Sequence, residues 1–276
     1  LSYQDDLKRH LADYKRLHLR IIEPGVFRYR GRDVLCHHIL PLARASANLL
    51  PEAEPRASAF LAENPRKRQR YFHHLNSSQA FAFNLFFPYF SGCEPKSASV
   101  LLRALGQEGT LAKWEPEAVP VPDEETNIDV SWETSDGILT FCEVKLSETE
   151  FGRAVDDARH RAKLSEMYSG VLSSHLERSR LAPLNFFNAY QFNRNVWHMV
   201  RTDRSRLIFL LPRSNTGLWK LLQDLLLGVV PLTRERISAV AIEDVIDRLA
   251  ADDECPEPLR GYPSKLRQKY LIKGTM

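Results

Sequence analysis

Strict alternation of apolar and polar residues marks two short segments near the middle of the chain. In residues 127–132, Ile128, Val130 and Trp132 fall on one face and Asn127, Asp129 and Ser131 on the other, as a half-buried strand requires. Residues 141–146 repeat the pattern and put Glu143 and Lys145 on a shared face. Glu133-Thr134-Ser135-Asp136-Gly137 lies between them and has the Asp-Gly chemistry of a hairpin turn. The pattern therefore predicts paired strands with Asp129 and Glu143 side by side.

Elsewhere the spacing is mostly helical. Leu7, Leu11, Tyr14 and Leu17 form one stripe over residues 2–19, followed by an irregular segment with Gly25 and Gly31 that ends in His38-Ile39-Leu40-Pro41. Pro51 and Pro55 break the spacing over 49–61 into short helices or loop. Ser77 or Ser78 is a natural N-cap for an apolar run through Phe87, which reads as a buried helix. Phe151, Ala154, Val155, Ala158 and Ala162 mark a helix packed on the sheet. Over 185–200, Phe186, Phe187, Tyr190, Val196, Trp197 and Val200 supply a broad apolar surface. Asn188, Gln191, Arg194 or Asn195, and His198 align on another side of that helix. The continuous apolar run 207–211 suits a central strand buried on both faces. A helix over 218–227, a strand over 237–242, a short helix over 243–249 and an acidic loop before a basic tail complete an α/β chain.

Composition narrows the class without changing it. At 276 residues, 43% hydrophobic and 26% charged, the chain is an ordinary globular protein with room for one large domain, or a core with an added lobe. No stretch reaches the roughly 18 apolar residues of a membrane span, so no membrane partner is expected. The charged opening is not a secretory signal, and the absence of an initial Met suggests a processed or trimmed start. Cys36, Cys93, Cys142 and Cys255 are scattered, which predicts a reduced, cytoplasmic location and argues against a thiolate metal site. Net charge is only +3, but the basic residues are grouped. Arg66, Lys67, Arg68 and Arg70 run into the Ser-Ser-Gln segment, and they are the expected nucleic-acid contacts. Arg159, Arg161 and Lys163, and Arg201, Arg204 and Arg206, flank the other two motif segments.

Two carboxylates and an amine on one hairpin are costly for a fold and suited to metal-assisted hydrolysis. A phosphodiester repels hydroxide, and a divalent cation held by hard oxygens removes that obstacle. Asp129 and Glu143 fit as ligands, with the Val144 carbonyl to complete the shell, and Lys145 fits as the group that positions water and offsets charge on phosphorus.

The arrangement Asp129…Glu143-x-Lys145 resembles the core of the PD-(D/E)XK nuclease superfamily, the restriction-endonuclease-like phosphodiesterases. Three further pieces occur in order: Ser77-Ser78-Gln79-Ala80, Glu150-Phe151-Gly152 and Tyr190-Gln191-x-x-Arg194-Asn195. Together with Glu143-Val144-Lys145 they are similar to a bacterial subgroup of that superfamily. The resemblance implies an αβββαβ core with a mixed central sheet flanked by helices, here over residues 71–276, preceded by an N-terminal helical extension over 1–70. It also implies Mg²⁺- or Mn²⁺-dependent hydrolysis of DNA, with Gln79 in the place commonly held by a helix Glu and with Gln191 and Arg194 facing the scissile phosphate. Asp123 supplies a literal Pro-Asp, but it sits in a proline-rich acidic run that reads as loop, so Asp129 is the expected ligand. The alternative is a catalytically inactive nucleic-acid-binding or scaffold member of the same fold. Oligomeric state stays open, with a homodimer as one arrangement because cutting both strands commonly needs two active sites.

Overall fold

A computed structural model describes residues 2–92 and 95–272. Contacts divide the chain into two compact units, Leu1–Leu111 with Ala241–Met276, and Ala112–Val240.

The first unit opens with α1 (Tyr3–Leu17), started by a capping box in which Ser2 and Asp5 satisfy each other's backbone N–H. Leu7, Leu11 and Tyr14 are buried, whereas Leu17 is exposed, so the apolar stripe ends one turn earlier than its spacing predicts. The expected irregular segment is instead an antiparallel hairpin, β1 (Gly25–Tyr29) and β2 (Arg32–Cys36), with Gly25 opposite Cys36. Arg30 (φ 49°) and Gly31 (φ 79°) are both left-handed, the turn geometry that matches strand twist. Arginine is not a usual residue there, which hid the turn.

Next, α2 (Glu54–Glu63) carries Pro55 in its first turn, where no intrahelical N–H is needed, so this proline begins a helix rather than breaking one. Ser77 caps α3 (Ser78–Phe90), its Oγ accepting the Ala80 N–H at 3.2 Å. Every residue from Gln79 to Phe90 is buried, and α4 (Pro95–Ala104) packs on this helix.

Apart from the terminal residues Leu111 and Ala241, the five-stranded sheet belongs to the second unit. Strands β3 (Leu111–Ala118), β4 (Ile128–Thr134) and β5 (Leu139–Val144) are followed by α5 (Ala158–Lys163), α6 (Ser169–Leu172), α7 (Pro183–Asn188) and α8 (Tyr190–Val200). Then come β6 (Ser205–Leu211), α9 (Thr216–Leu227), α10 (Pro231–Arg234) and β7 (Ile237–Ala241). The strand order is β3-β4-β5-β6-β7. β4 and β5 are antiparallel, with Val130 opposite Cys142, and β5 and β6 are parallel, with Phe141 opposite Leu207. This is the mixed sheet flanked by helices of the restriction-endonuclease-like fold. Leu207 to Leu211 are fully buried, as their unbroken apolar run predicts.

Two helical expectations are corrected here. Residues 151–157 are not helical, and Val155 is exposed. Gly152 at φ 53° interrupts the helix, and α5 starts only where Asp157 caps the His160 N–H at 2.9 Å. The helix expected over 185–200 is divided at Ala189 (φ −125°, ψ 37°), which puts Asn188 on a different helix from Gln191.

The chain then returns to the first unit with α11 (Ile242–Ala251), packed on α4, and α12 (Tyr262–Tyr270), packed on α1 and α11. The expected basic tail is thus largely a docked helix. Its Tyr270 hydroxyl lies 2.6 Å from Asn84 Nδ2, its Tyr262 hydroxyl donates to the Asn84 carbonyl at 2.5 Å, and burial pushes the Lys269 ammonium down to about 7. Among the described residues no helix is long and apolar enough to cross a membrane.

Candidate active site

The site is assembled where α8 faces the β4–β5 hairpin. The ladder register that pairs Val130 with Cys142 brings Asp129 and Glu143 to the next pair of positions. Asp129 Oδ2 accepts the Val144 N–H at 2.8 Å, which ties the first carboxylate to the neighbouring strand. Lys145 Nζ lies 2.9 Å from Glu143 Oε1 and donates to Gln191 Oε1 at 2.7 Å. Gln191 Nε2 donates to Glu143 Oε1 at 2.7 Å, and Asn195 Nδ2 donates to Glu143 Oε2 at 2.8 Å. Gln191 therefore spans the glutamate and the lysine, and its side-chain orientation is set by both.

Burial and mutual charge determine the protonation states. Asp129, Glu143 and Lys145 are each less than a tenth exposed. Burial, then the negative charges of Glu143 and Glu117, raise the Asp129 carboxyl well above the ordinary range. Burial also works against an ionised Glu143, but the Lys145 and Arg194 cations outweigh it and hold that carboxyl low. Burial opposes a charged Lys145 as well, and Glu143 and Glu148 prevail to keep its ammonium above the usual value. Lys145 is accordingly a firm cation and hydrogen-bond donor rather than a proton acceptor.

The Glu-Phe-Gly motif has a local reason. Phe151 is buried against Phe192 and Phe209, and the Gly152 carbonyl accepts the N–H of Gln191, a donor that the start of α8 leaves without an intrahelical partner. A Cβ on Gly152 would stand 3.0 Å from Gln191 Oε1 and 3.1 Å from Gln191 Cβ, on a backbone already left-handed at φ 53°. Gly152→Ala is expected to lower stability by about 1–2 kcal/mol in urea unfolding, the typical cost of forcing an L-residue into that conformation.

The remaining expected residues are placed as follows. Arg194 is mostly buried; one guanidinium nitrogen donates to the Asn127 carbonyl at 2.9 Å and contacts Asn195 Oδ1 at 3.3 Å, so it reaches Glu143 through Asn195. Gln79 belongs to the first unit, where its carbonyl accepts the Gln69 N–H at 2.9 Å and its amide donates to the Lys67 carbonyl at 2.7 Å. Its side chain thereby braces the basic 66–70 segment. In that segment Lys67, Arg68 and Arg70 lie over the rings of Phe60, Phe72 and Tyr71. Asp123 is exposed in a short 3₁₀ turn. Arg159 and Arg161 pair with Glu125 and Asp156, and Arg201 lies over Trp197.

Sequence reasoning missed three groups. Asn195 was visible as a member of a polar row and as the end of the Tyr-Gln-x-x-Arg-Asn motif, but with no role assigned to it. Glu117, at φ 51°, accepts from Asn127 Nδ2 at 3.0 Å and adds a negative charge near Asp129, in a strand that Pro116 disguises. Glu124 looked like part of an exposed loop. It is fully buried, accepts from the Tyr168 hydroxyl and from the Thr126 N–H at 3.2 Å, and lies 3.5 Å from His198 Nε2.

Among the described residues no group of three or more His, Cys, Asp or Glu side chains is arranged to hold a metal ion. The donor set nevertheless suits Mg²⁺, which takes one or two carboxylates and keeps several waters. Glu143 accepts three contacts, which leaves room on its roughly four lone-pair sites.

The family described as Restriction Endonuclease associating with ARP matches residues 8–271. The chain belongs to this family. Membership agrees with the mixed sheet and points to a nuclease. No curated protein matches the chain. No solved structure matches it either.

Proposed function

We propose that this restriction-endonuclease family member is a metal-dependent nuclease that hydrolyses DNA phosphodiester bonds, an endonuclease of restriction, repair or defence. The observation that carries the reading is the buried convergence of Asp129, Glu143 and Lys145, with Gln191 bonded to both members of the Glu143–Lys145 pair. Asp129 and Glu143, with the Val144 carbonyl, would hold Mg²⁺ or Mn²⁺. When bound, that ion supplies Lewis-acid polarisation of a phosphoryl oxygen and a more acidic water.

The chain's own groups do the rest. Lys145 presents a fixed ammonium to the attacking water and to the charge that grows on the phosphoryl oxygens. Gln191 holds that ammonium and Glu143 in one geometry. Arg194 fixes Asn195 and the backbone entering β4, and it adds positive charge next to the substrate's expected place. Gln79 contributes by holding the basic segment rather than by offering an oxygen to the ion.

The test is nicking of supercoiled plasmid. Relaxed product is expected with Mg²⁺ or Mn²⁺ and none with EDTA, and cleavage that persists in EDTA would contradict the proposal. The commitment of Gln79 to backbone favours one rival, a binding-only member. It would shift DNA in a gel and never nick it.

A further inference from the structure

The first unit contains a second chemical feature, a cavity of about 460 Å³ between the β1–β2 hairpin and residues 70–73. Its size lies within the roughly 300–1,000 Å³ of small-molecule sites. Arg28, Asp33, Leu42, Arg70, Tyr71 and His73 are among its walls.

The two sides of the cavity are fixed to one another. Phe27 meets Tyr71 and His74 edge-on at 5.8 Å in each case. The Gly25 N–H donates to the Ile39 carbonyl at 3.0 Å, and the Leu40 N–H to the His73 carbonyl at 3.1 Å. A Cβ on Gly25 would lie 2.5 Å from the Leu40 carbonyl oxygen, so the hairpin seats too closely for any side chain there.

The chemistry of the walls selects a ligand. Residues 64–80 include Arg66, Lys67, Arg68 and Arg70 and no acidic side chain, and the hairpin adds Arg28, Arg30 and Arg32 against Asp33. Such a surface attracts phosphate. A simple anion would nevertheless meet the Asp33 carboxylate, which is exposed and only loosely paired with Arg28 at 3.8 Å. A carboxylate accepts from the N–H groups of a base edge. Tyr71 is held by Phe27 and by His74, whose ring centroid is 4.8 Å away, with the Arg70 guanidinium over it at 5.4 Å, yet it stays 41% exposed, which leaves part of the ring open to a base. Cations, a carboxylate and a half-open aromatic ring around one cavity match the parts of a nucleotide.

We infer that this cavity binds a single nucleotide unit, its phosphate engaged by Arg28 and Arg70, its base stacked on Tyr71 and its base edge met by Asp33. The pocket's use on a strand being cut rests on the nuclease reading above; its affinity for a nucleotide does not. A free nucleotide and one nucleotide within a single strand share this chemistry.

Calorimetry of the full chain in EDTA tests both sources. A deoxynucleoside 5′-monophosphate and a single-stranded hexamer are expected to bind saturably. Tyr71→Ala and Arg70→Ala should each weaken both by about tenfold or more, and Tyr71→Phe should keep the affinity because it keeps the stacking face. Inorganic phosphate bound as tightly as the monophosphate would reduce the pocket to an anion site and overturn the inference. So would the absence of saturable monophosphate binding, or a loss of binding in Lys145→Met in place of Tyr71→Ala. Plasmid nicking by the same variants is read separately. Failure of nucleotide binding with nicking intact removes the pocket alone, and the converse removes the nuclease reading alone.

Discussion

Lys145→Met is expected to lower metal-dependent plasmid nicking by about 10²–10³-fold, the scale of removing one preorganised donor from a reacting centre. Methionine keeps most of the buried stem and deletes only the ammonium, so packing beside β5 survives. Two contacts vanish with the charge, the ion pair to Glu143 and the hydrogen bond to Gln191 Oε1, and with the first goes the cation that most favours an ionised Glu143. Glu143 keeps Gln191 and Asn195 as donors, so the variant should still unfold cooperatively. Cleavage within a few-fold of the unaltered protein would remove Lys145 from the mechanism.

Asp129→Asn should give the opposite signs for stability and activity. Without a cation, the buried Asp129 carboxyl is opposed by burial, by Glu143 and by Glu117, and its folded-state pKa stands well above the unfolded value. A carboxyl raised in this way costs the fold stability as pH climbs from about 4 toward the folded value, because only the unfolded chain ionises freely. Asparagine does not carry that cost. In EDTA the variant is expected to be more stable than the unaltered protein at neutral pH, on the order of 1–4 kcal/mol by urea unfolding, with the difference shrinking as pH falls toward 4. It should also lose nicking. Adding Mg²⁺ should reverse the order, since a ligand at 100 times its dissociation constant stabilises by about 2.7 kcal/mol and the asparagine variant has lost a ligand. Equal stability of the two proteins in EDTA from pH 5 to 9 would show that Asp129 bears no such strain.

The hairpin was legible because all its determinants are local. Alternation sets which residues share a face, and Asp136-Gly137 closes the turn with Gly137 at φ 78°. Strand β6 was equally plain from its apolar run. Helical spacing identified a polar row on α8 but not the break at Ala189, which follows from contact with residues 152–154 some forty positions earlier: the Gly152 carbonyl accepts from Gln191 and the Ala154 N–H donates to Phe187. Phe151 and Ala154 looked helical because they pack toward these aromatics, and period alone does not reveal which surface an apolar residue serves. Glu117 and Glu124 were hidden for a different reason. A buried acid is recognisable only by its partners, and Asn127, Tyr168 and His198 are brought to them by the fold. The β1–β2 hairpin stayed hidden because Arg30 occupies a turn position that sequence patterns reserve for asparagine or aspartate.

The discontinuity of the first unit bears on how the protein is made. A ribosome releases residues 1–111, then the entire span of the second unit, and only then the two helices that the first unit still lacks. Until Tyr262 and Tyr270 emerge, Asn84 has neither hydroxyl partner, and the apolar face of α4 awaits α11. Synthesis therefore releases the candidate catalytic unit before the hairpin-bearing unit can be sealed, and through that interval the apolar face of α4 stays open to water.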